Sequence, residues 1–246
     1  MSKKLILISN DDGVESEGIY RLREAVSHLG DVYIVVPDKE RSGASHSITL
    51  RKPIKVKKVD ERVFAITGTP ADCILLGIFE LLPRRPDLVL SGINKGYNLG
   101  EDVFYSGTVA AAREGAIYNI PAIAISLGNS PTNEYYWETG MHFTRLIIDE
   151  IEKLRLDFEL LNVNIPNKPI DEIRGIRIVR LGRRAYRDPV EKRENDTYYI
   201  GGEPLWSKEP GTDLKAVSDD FVALTPLNID LTNYDELKRL QWELSF

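Results

Sequence analysis

The sequence predicts an α/β fold with a mostly parallel sheet, and its first 36 residues carry the prediction. Residues 4–9, Lys-Leu-Ile-Leu-Ile-Ser, form a nearly continuous apolar run that ends in Asn10-Asp11-Asp12-Gly13. That is the pattern of a strand covered on both faces and followed by a tight turn. Ile19, Leu22, Ala25, Val26 and Leu29 then recur at helical spacing, with Gly30 as the expected stop. Val32-Tyr33-Ile34-Val35-Val36, closed by Pro37, reads as a second buried strand. Strand, helix and strand in so short a span make a βαβ unit, which implies parallel strands and a right-handed crossover.

The alternation persists down the chain. Residues 48–58 and 62–67, rich in Val and Ile with charges between, predict two short strands in a hairpin. Pro70 suits the first turn of a helix that carries Ile74, Leu75, Ile78 and Leu81. Residues 88–90 predict a strand, 91–107 a loop, 108–118 a helix and 122–126 another strand. A helix is expected over 141–154 with Phe143, Leu146, Ile147 and Ile151 inward, and strands over 161–165 and 175–179 complete the core. Residues 182–211 are dense in Arg, Glu, Asp and Gly, with Tyr186, Tyr198, Tyr199 and Trp206 among them, and predict a projecting β-hairpin arm. Rings exposed among charges point to a protein partner, most simply another copy of the chain; a solvated excursion is the alternative. Residues 230–246 end in a terminal helix with Tyr234, Leu237, Leu240 and Leu244 on one stripe. No repeat or linker divides residues 1–246, so one domain with an appendage is expected.

Composition narrows the function. Thirty-two basic and 38 acidic side chains leave a net charge of −6, with 42% hydrophobic and 28% charged residues, ordinary for a globular protein. Area scaling gives roughly 11,000 Å² exposed when folded against about 40,000 Å² unfolded, room for a large core without metal or disulfide staples. No apolar stretch approaches the ~18 residues of a spanning helix, and the apolar run after Met1 is too short for a signal peptide. A lone Cys73 allows no internal disulfide. These features predict a cytoplasmic protein away from membranes, and the acidic balance disfavours duplex nucleic acid.

Three polar clusters fall at predicted strand ends, where doubly wound sheets bind ligands. Asp11 and Asp12 repel each other unless a cation or proton compensates, and a hard divalent ion such as Mg²⁺ or Mn²⁺ suits all-oxygen ligation; a solvated turn is the alternative. Arg41-Ser42-Gly43-Ala44-Ser45-His46-Ser47 packs hydroxyls and an imidazole around a glycine. Its backbone can approach an anion, a serine can ligate a metal, and His46 is either a proton donor to a leaving group or a simple hydrogen-bonding residue. Residues 91–100 supply glycines and the amides of Asn94 and Asn98, and Ser106-Gly107-Thr108 opens a helix whose free N–H groups suit a phosphate. Walker A, Gly-x-Gly-x-x-Gly and Gly-x-Ser-x-Gly patterns are absent, and adjacent acids do not fit the Asp-x-Asp of haloacid-dehalogenase phosphatases.

Ile8-Ser9-Asn10-Asp11-Asp12-Gly13, Arg41-Ser42-Gly43-Ala44-Ser45, Gly68-Thr69-Pro70-Ala71-Asp72-Cys73, Ser91-Gly92-Ile93-Asn94 and Tyr105-Ser106-Gly107-Thr108 resemble the SurE survival-protein family. So do Asn162-Val163-Asn164-Ile165-Pro166, Thr212-Asp213 and Thr225-Pro226-Leu227. The resemblance implies a Rossmann-like three-layer fold and a metal-dependent 5′/3′-nucleotidase, dimeric or tetrameric with C-terminal segments exchanged. It implies one divalent metal per subunit on Asp11, Asp12, Ser42 and Asn94, with Asn98 and Ser106 at the phosphate. The expected substrate is a nucleoside monophosphate. The alternatives are a broad phosphatase or short-chain exopolyphosphatase and, in another class, a non-catalytic nucleotide-binding regulator.

Overall fold

A nine-stranded sheet organises the chain in a computed structural model that describes residues 3–187, 190–205 and 209–244. Its strands are β1 (Lys4–Ser9), β2 (Gly30–Pro37), β3 (Val56–Asp60), β4 (Val63–Ile66), β5 (Leu88–Lys95), β6 (Ala122–Leu127), β7 (Leu160–Ile165), β8 (Ile176–Ile178) and β13 (Val222–Leu227). They lie in the order β3-β4-β2-β1-β5-β6-β7-β13-β8. Neighbours are parallel except in the β3–β4 hairpin and where β13 runs against β7.

Helices cover both faces, which is why the first strand is apolar from Leu5 to Ile8. Ile6 and Ile8 of β1 pack with Ile19 and Leu22 of α1 (Glu17–Val26) and Ile147 of α4 (Trp137–Leu154). Leu5 and Leu7 point the other way, onto Ile74 of α2 (Pro70–Leu76) and Val109 and Ala112 of α3 (Gly107–Ile117). Period-two alternation thus feeds two separate cores. A third cluster joins Leu99 and Ala223 to Leu214, Ala216 and Val217 of α5 (Asp213–Ser218).

Several expectations shift. The first helix ends at Val26 with Ser27 as its cap, and Gly30 opens β2 rather than stopping the helix. Residues 48–55 are not strand; β3 begins at Val56. The strand expected over 88–90 runs on to Lys95, through the start of the expected loop. The helix expected from 141 starts at Trp137, and Leu146 is 39% exposed, whereas Met141, Thr144 and Ile148 are buried. The strand at 176–178 forms an exposed edge instead of completing the core; β13, absent from the sequence reading, lies between it and β7.

The arm is a hairpin in two storeys. β9 (Ala185–Arg187) pairs with β12 (Glu203–Leu205), and beyond them β10 (Val190–Lys192) pairs with β11 (Tyr198–Ile200), both antiparallel. Trp206 and the last two residues of the expected terminal helix lie outside the described residues. That helix is α6 (Tyr234–Glu243), with no buried residue, so its Tyr234-Leu237-Leu240 stripe is uncovered. The chain exposes 13,983 Å², above the roughly 11,000 Å² expected of a compact monomer of this mass. Among the described residues no helix is long and apolar enough to cross a membrane.

Candidate active site

Chain order reverses at β1: β2 and β4 lie on one side, β5, β6 and β7 on the other. Such a switch point opens a crevice beyond the strands' carboxyl ends. A cavity of about 880 Å³ opens beyond the ends of β1 and β2 and at the end of β5, with the arm on its wall, and Asp11, Asp12, Ser42, Asn94, Asn98 and Ser106 all belong to it.

The buried Asn10 side chain closes the turn after β1, its Oδ1 accepting from Gly13 N and its Nδ2 donating to Gly13 O, each at 3.1 Å. Asp11 is buried against the start of α3, where the Thr108 hydroxyl donates to its Oδ1 and the Gly107 and Thr108 backbone lies close enough to favour its charged form. A Cβ on Gly107 would lie 2.7 Å from Asp11 Cβ, so glycine permits this approach. Burial pushes the Asp11 carboxyl above its ordinary range while these contacts pull it down. Asp12 accepts from Ser16 Oγ at 3.4 Å. Its pKa is raised to about 6, chiefly by burial and next by the charge on Asp11, with Lys95 pulling the other way.

A stability prediction follows from the sign of that shift. The folded pKa lies above the unfolded value of about 3.9, so ionised Asp12 weakens the metal-free fold above pH ~6. As pH falls, the folded form takes the proton first and the penalty fades. Asp12→Asn is therefore expected to stabilise chelator-treated protein at pH 7.5 by on the order of 2 kcal/mol, a gain that shrinks toward pH 5. Denaturant unfolding at the two pH values checks it, and a gain that grew on acidification would contradict it.

The loop after β2 is fastened at both ends. Arg41 N donates to Asp11 O at 2.7 Å, Ser45 N to Tyr105 O at 3.0 Å, and Ser45 Oγ to Phe104 O at 2.5 Å. Between these ties Ser42 reaches the cavity, its hydroxyl donating to Glu40 Oε1 at 2.8 Å and keeping its oxygen lone pairs for a ligand.

β5 is re-aimed by a bulge between Ser91 and Asn94. Gly92 sits there at φ +132°, where a Cβ would lie 2.2 Å from Ile125 O. Asn94 Nδ2 donates to Gly96 O at 2.9 Å, so Oδ1 is the atom left for a ligand. Asn98 is held from the next strands. Asn164 Oδ1 accepts from its N–H at 2.8 Å, Asn162 and Asn164 donate to its carbonyl at 2.8 and 3.1 Å, and its amide meets Ser126 Oγ at 2.9 Å. The Asn-Val-Asn of β7 thus serves as a brace.

Four sequence-predicted site residues turn elsewhere. Ser45 spends its hydroxyl on Phe104. His46 Nε2 lies 2.5 Å from Glu114 Oε2, which ties the loop to α3 instead of facing the cavity. Thr108 gives its hydroxyl to Asp11 Oδ1 and Gly107 packs against that side chain, so both support the carboxylate and neither lines the cavity. Ser106 caps the helix, accepting from Val109 N at 3.0 Å, and still lines the cavity. Thr69 and Asp72 form a capping box on α2, and Asp72 also holds Thr49, a structural role for that motif.

Sequence reasoning passed over Lys95, Glu40, Asp102 and Tyr186, which also line the cavity. Lys95 is the sole cationic side chain among the described residues there, facing the carboxylates of Asp11, Asp12, Glu15, Glu40 and Asp102. It falls within the segment 91–100, where a lysine between Asn and Gly reads as solvated. Among the described residues no three His, Cys, Asp or Glu side chains group to hold a metal. The oxygens available to a cation here are the carboxylates of Asp11 and Asp12 and the neutral oxygens of Ser42 and Asn94. Two crowded carboxylates with neutral oxygens fit a hard, partly hydrated dication.

The fold and cavity define a doubly wound α/β protein with an acidic, oxygen-lined site at its switch point. Comparison with known proteins narrows this. The family described as Survival protein SurE matches residues 6–188. The chain is 45% identical over 240 residues to a protein named 5′-nucleotidase SurE from Gemmatimonas aurantiaca, covering 94% of this chain and 95% of that one. It is 43% identical to the protein of that name from Geotalea daltonii, covering 97% and 99%. A crystal structure of the SurE protein from Aquifex aeolicus superposes with a TM-score of 0.87 at 42% identity, covering 97% of this chain and 99% of that one. The chain belongs to the SurE family.

Proposed function

We propose that this protein is a 5′-nucleotidase, a metal-dependent phosphomonoesterase that releases phosphate from nucleoside 5′-monophosphates and from their 3′ isomers. The relatives named 5′-nucleotidase SurE support the activity. The observation that carries the site is the meeting of Asp11, Asp12, Ser42 and Asn94, from two loops and the bulged end of β5, in one cavity.

These four residues would hold one Mg²⁺ or Mn²⁺ per subunit, which when bound polarises a phosphoryl oxygen and lowers the pKa of water. The Thr108 hydroxyl keeps Asp11 oriented. The Asn98 amide and the Ser106 hydroxyl bind the remaining phosphoryl oxygens, and the Ser126 hydroxyl can serve either atom of that amide. Asp12 orients the attacking water. Lys95 offsets the negative charge that a phosphate dianion brings among five carboxylates. Lys95→Met should raise KM for AMP about tenfold, the loss of one charge-assisted contact, with Lys95→Arg recovering most of it; an unchanged KM refutes the role.

The uncovered arm and the α6 stripe support self-association as a dimer or tetramer. The activity test is phosphate release from AMP, GMP and their 3′ isomers, after chelation and with Mg²⁺ or Mn²⁺ restored. Turnover that returns with metal is the expected result. Turnover indifferent to chelation overturns the metal site, and silence on every substrate overturns the enzyme.

A further inference from the structure

The arm does more than project from the molecule: its root is built into the wall of the cavity. The Tyr186 hydroxyl donates to Asp102 Oδ1 at 2.9 Å, and Arg184 Nη1 lies 2.5 Å from Asp102 Oδ2. The Arg184 N–H donates to Glu101 Oε2 at 2.5 Å, and its guanidinium carbon lies 5.3 Å from the centre of the Tyr186 ring. The ring is therefore pinned at its hydroxyl and flanked by a guanidinium held in a nearly buried ion pair, and it lines the same cavity as Asp12 and Ser106. Because its hydroxyl is committed to Asp102, the ring offers a ligand an aromatic surface and no free donor. A second ring, Tyr105, adjoins Ser106 on that cavity and is 67% exposed.

The ligand must then combine a phosphate with a flat, uncharged group. A nucleobase meets that description: every base has a π-face, and aromatic stacking accepts bases with little regard to their hydrogen-bonding edges. The carboxylates around the cavity also disfavour an anionic aromatic group. We propose that Tyr186, with Tyr105, is the nucleobase platform of this enzyme, so that the arm root sets selectivity for nucleotides over other phosphate esters. Stacking without edge readout makes the platform tolerant, with purines favoured over pyrimidines by ring area.

This inference rests on the phosphomonoesterase reading, and two readouts keep the two apart. The first is the ratio of kcat/KM for AMP to that for glycerol 2-phosphate, which has no ring, in wild type, Tyr186→Ala, Tyr186→Phe and Tyr105→Ala. Tyr186→Ala should lower the ratio about tenfold, the lower end of what alanine in place of a stacking ring costs per base, with the loss in KM. Tyr186→Phe, which keeps the ring and loses its tie to Asp102, should lie between, and Tyr105→Ala should lower the ratio in the same sense. The second readout is calorimetric binding of adenosine, which needs no turnover: it should bind wild type and bind Tyr186→Ala at least tenfold more weakly. An unchanged ratio in Tyr186→Ala, or adenosine binding that is absent from wild type or indifferent to the substitution, overturns the platform. Adenosine binding as expected with no phosphate released from any ester leaves the platform standing and overturns the phosphomonoesterase reading instead.

Discussion

Asp11→Ala is expected to reduce metal-restored phosphate release from AMP by about a thousandfold or more. Residues that merely orient a metal ligand typically cost 10–100-fold when removed, and Asp11 stands one step closer to the cation. The same substitution leaves the Thr108 hydroxyl without its carboxylate partner. Thr108→Val, which keeps the shape and removes only the hydroxyl, should fall within that 10–100-fold range. Assays at saturating Mg²⁺ or Mn²⁺ separate lost affinity from lost turnover. If Asp11→Ala retained more than a tenth of wild-type activity, the cation would have to be held by other residues.

The largest expected effect on stability is at Asp213, which takes no part in the proposed chemistry. Its carboxylate is fully buried and accepts from three backbone N–H groups: Gly182 at 2.7 Å, Gly100 at 2.8 Å and Leu214 at 2.8 Å. Burial pushes its carboxyl up while these donors pull it down. One side chain thereby joins the loop before Tyr105, the base of the arm and the start of α5. Alanine would strand three donors, each costing about 1–3 kcal/mol when left unpaired, so a loss of about 3–5 kcal/mol in urea unfolding is expected. Asn should cost less, because its oxygen still serves the Gly182 and Leu214 N–H groups while its NH₂ opposes Gly100. A change below about 1 kcal/mol in the alanine variant would mean that water or a backbone shift replaces the clamp.

What could be read from the sequence follows from how local each signal is. β1, β2 and β6 announce themselves because helices on both faces require unbroken apolar runs. β5 was cut short at Leu90 because its second half carries Ser91, Gly92 and Asn94, the polar residues that supply the site. Pro226 disguised β13, since proline within a run argues against a strand. It is tolerated because β8 pairs only with Val222–Leu224, leaving Pro226 beyond that ladder. Asp11, Asp12, Ser42, Asn94, Asn98 and Ser106 stood out as polar residues at strand ends, and the fold gathers them in one cavity. The purposes of His46 and Thr108 did not stand out, because each depends on a partner far along the chain: Glu114 for one, Asp11 for the other. Tyr186 was legible only as an aromatic in a charged arm. Its contact with Asp102 is a product of tertiary structure.

The position of β13 also bears on how the protein is made. β7 pairs with β6 on one side and with β13 on the other, and β13 follows the whole arm in the chain. While the polypeptide emerges from a ribosome, β7 is an open sheet edge until the residues at 222–227 are out, the kind of edge that recruits foreign strands. Asn162 and Asn164 lie on that strand, so the brace on Asn98 is vulnerable over the same interval. A chain that stopped within the arm would lack the strand that covers this edge, so its aggregation relative to the full chain is the expected result of such a truncation.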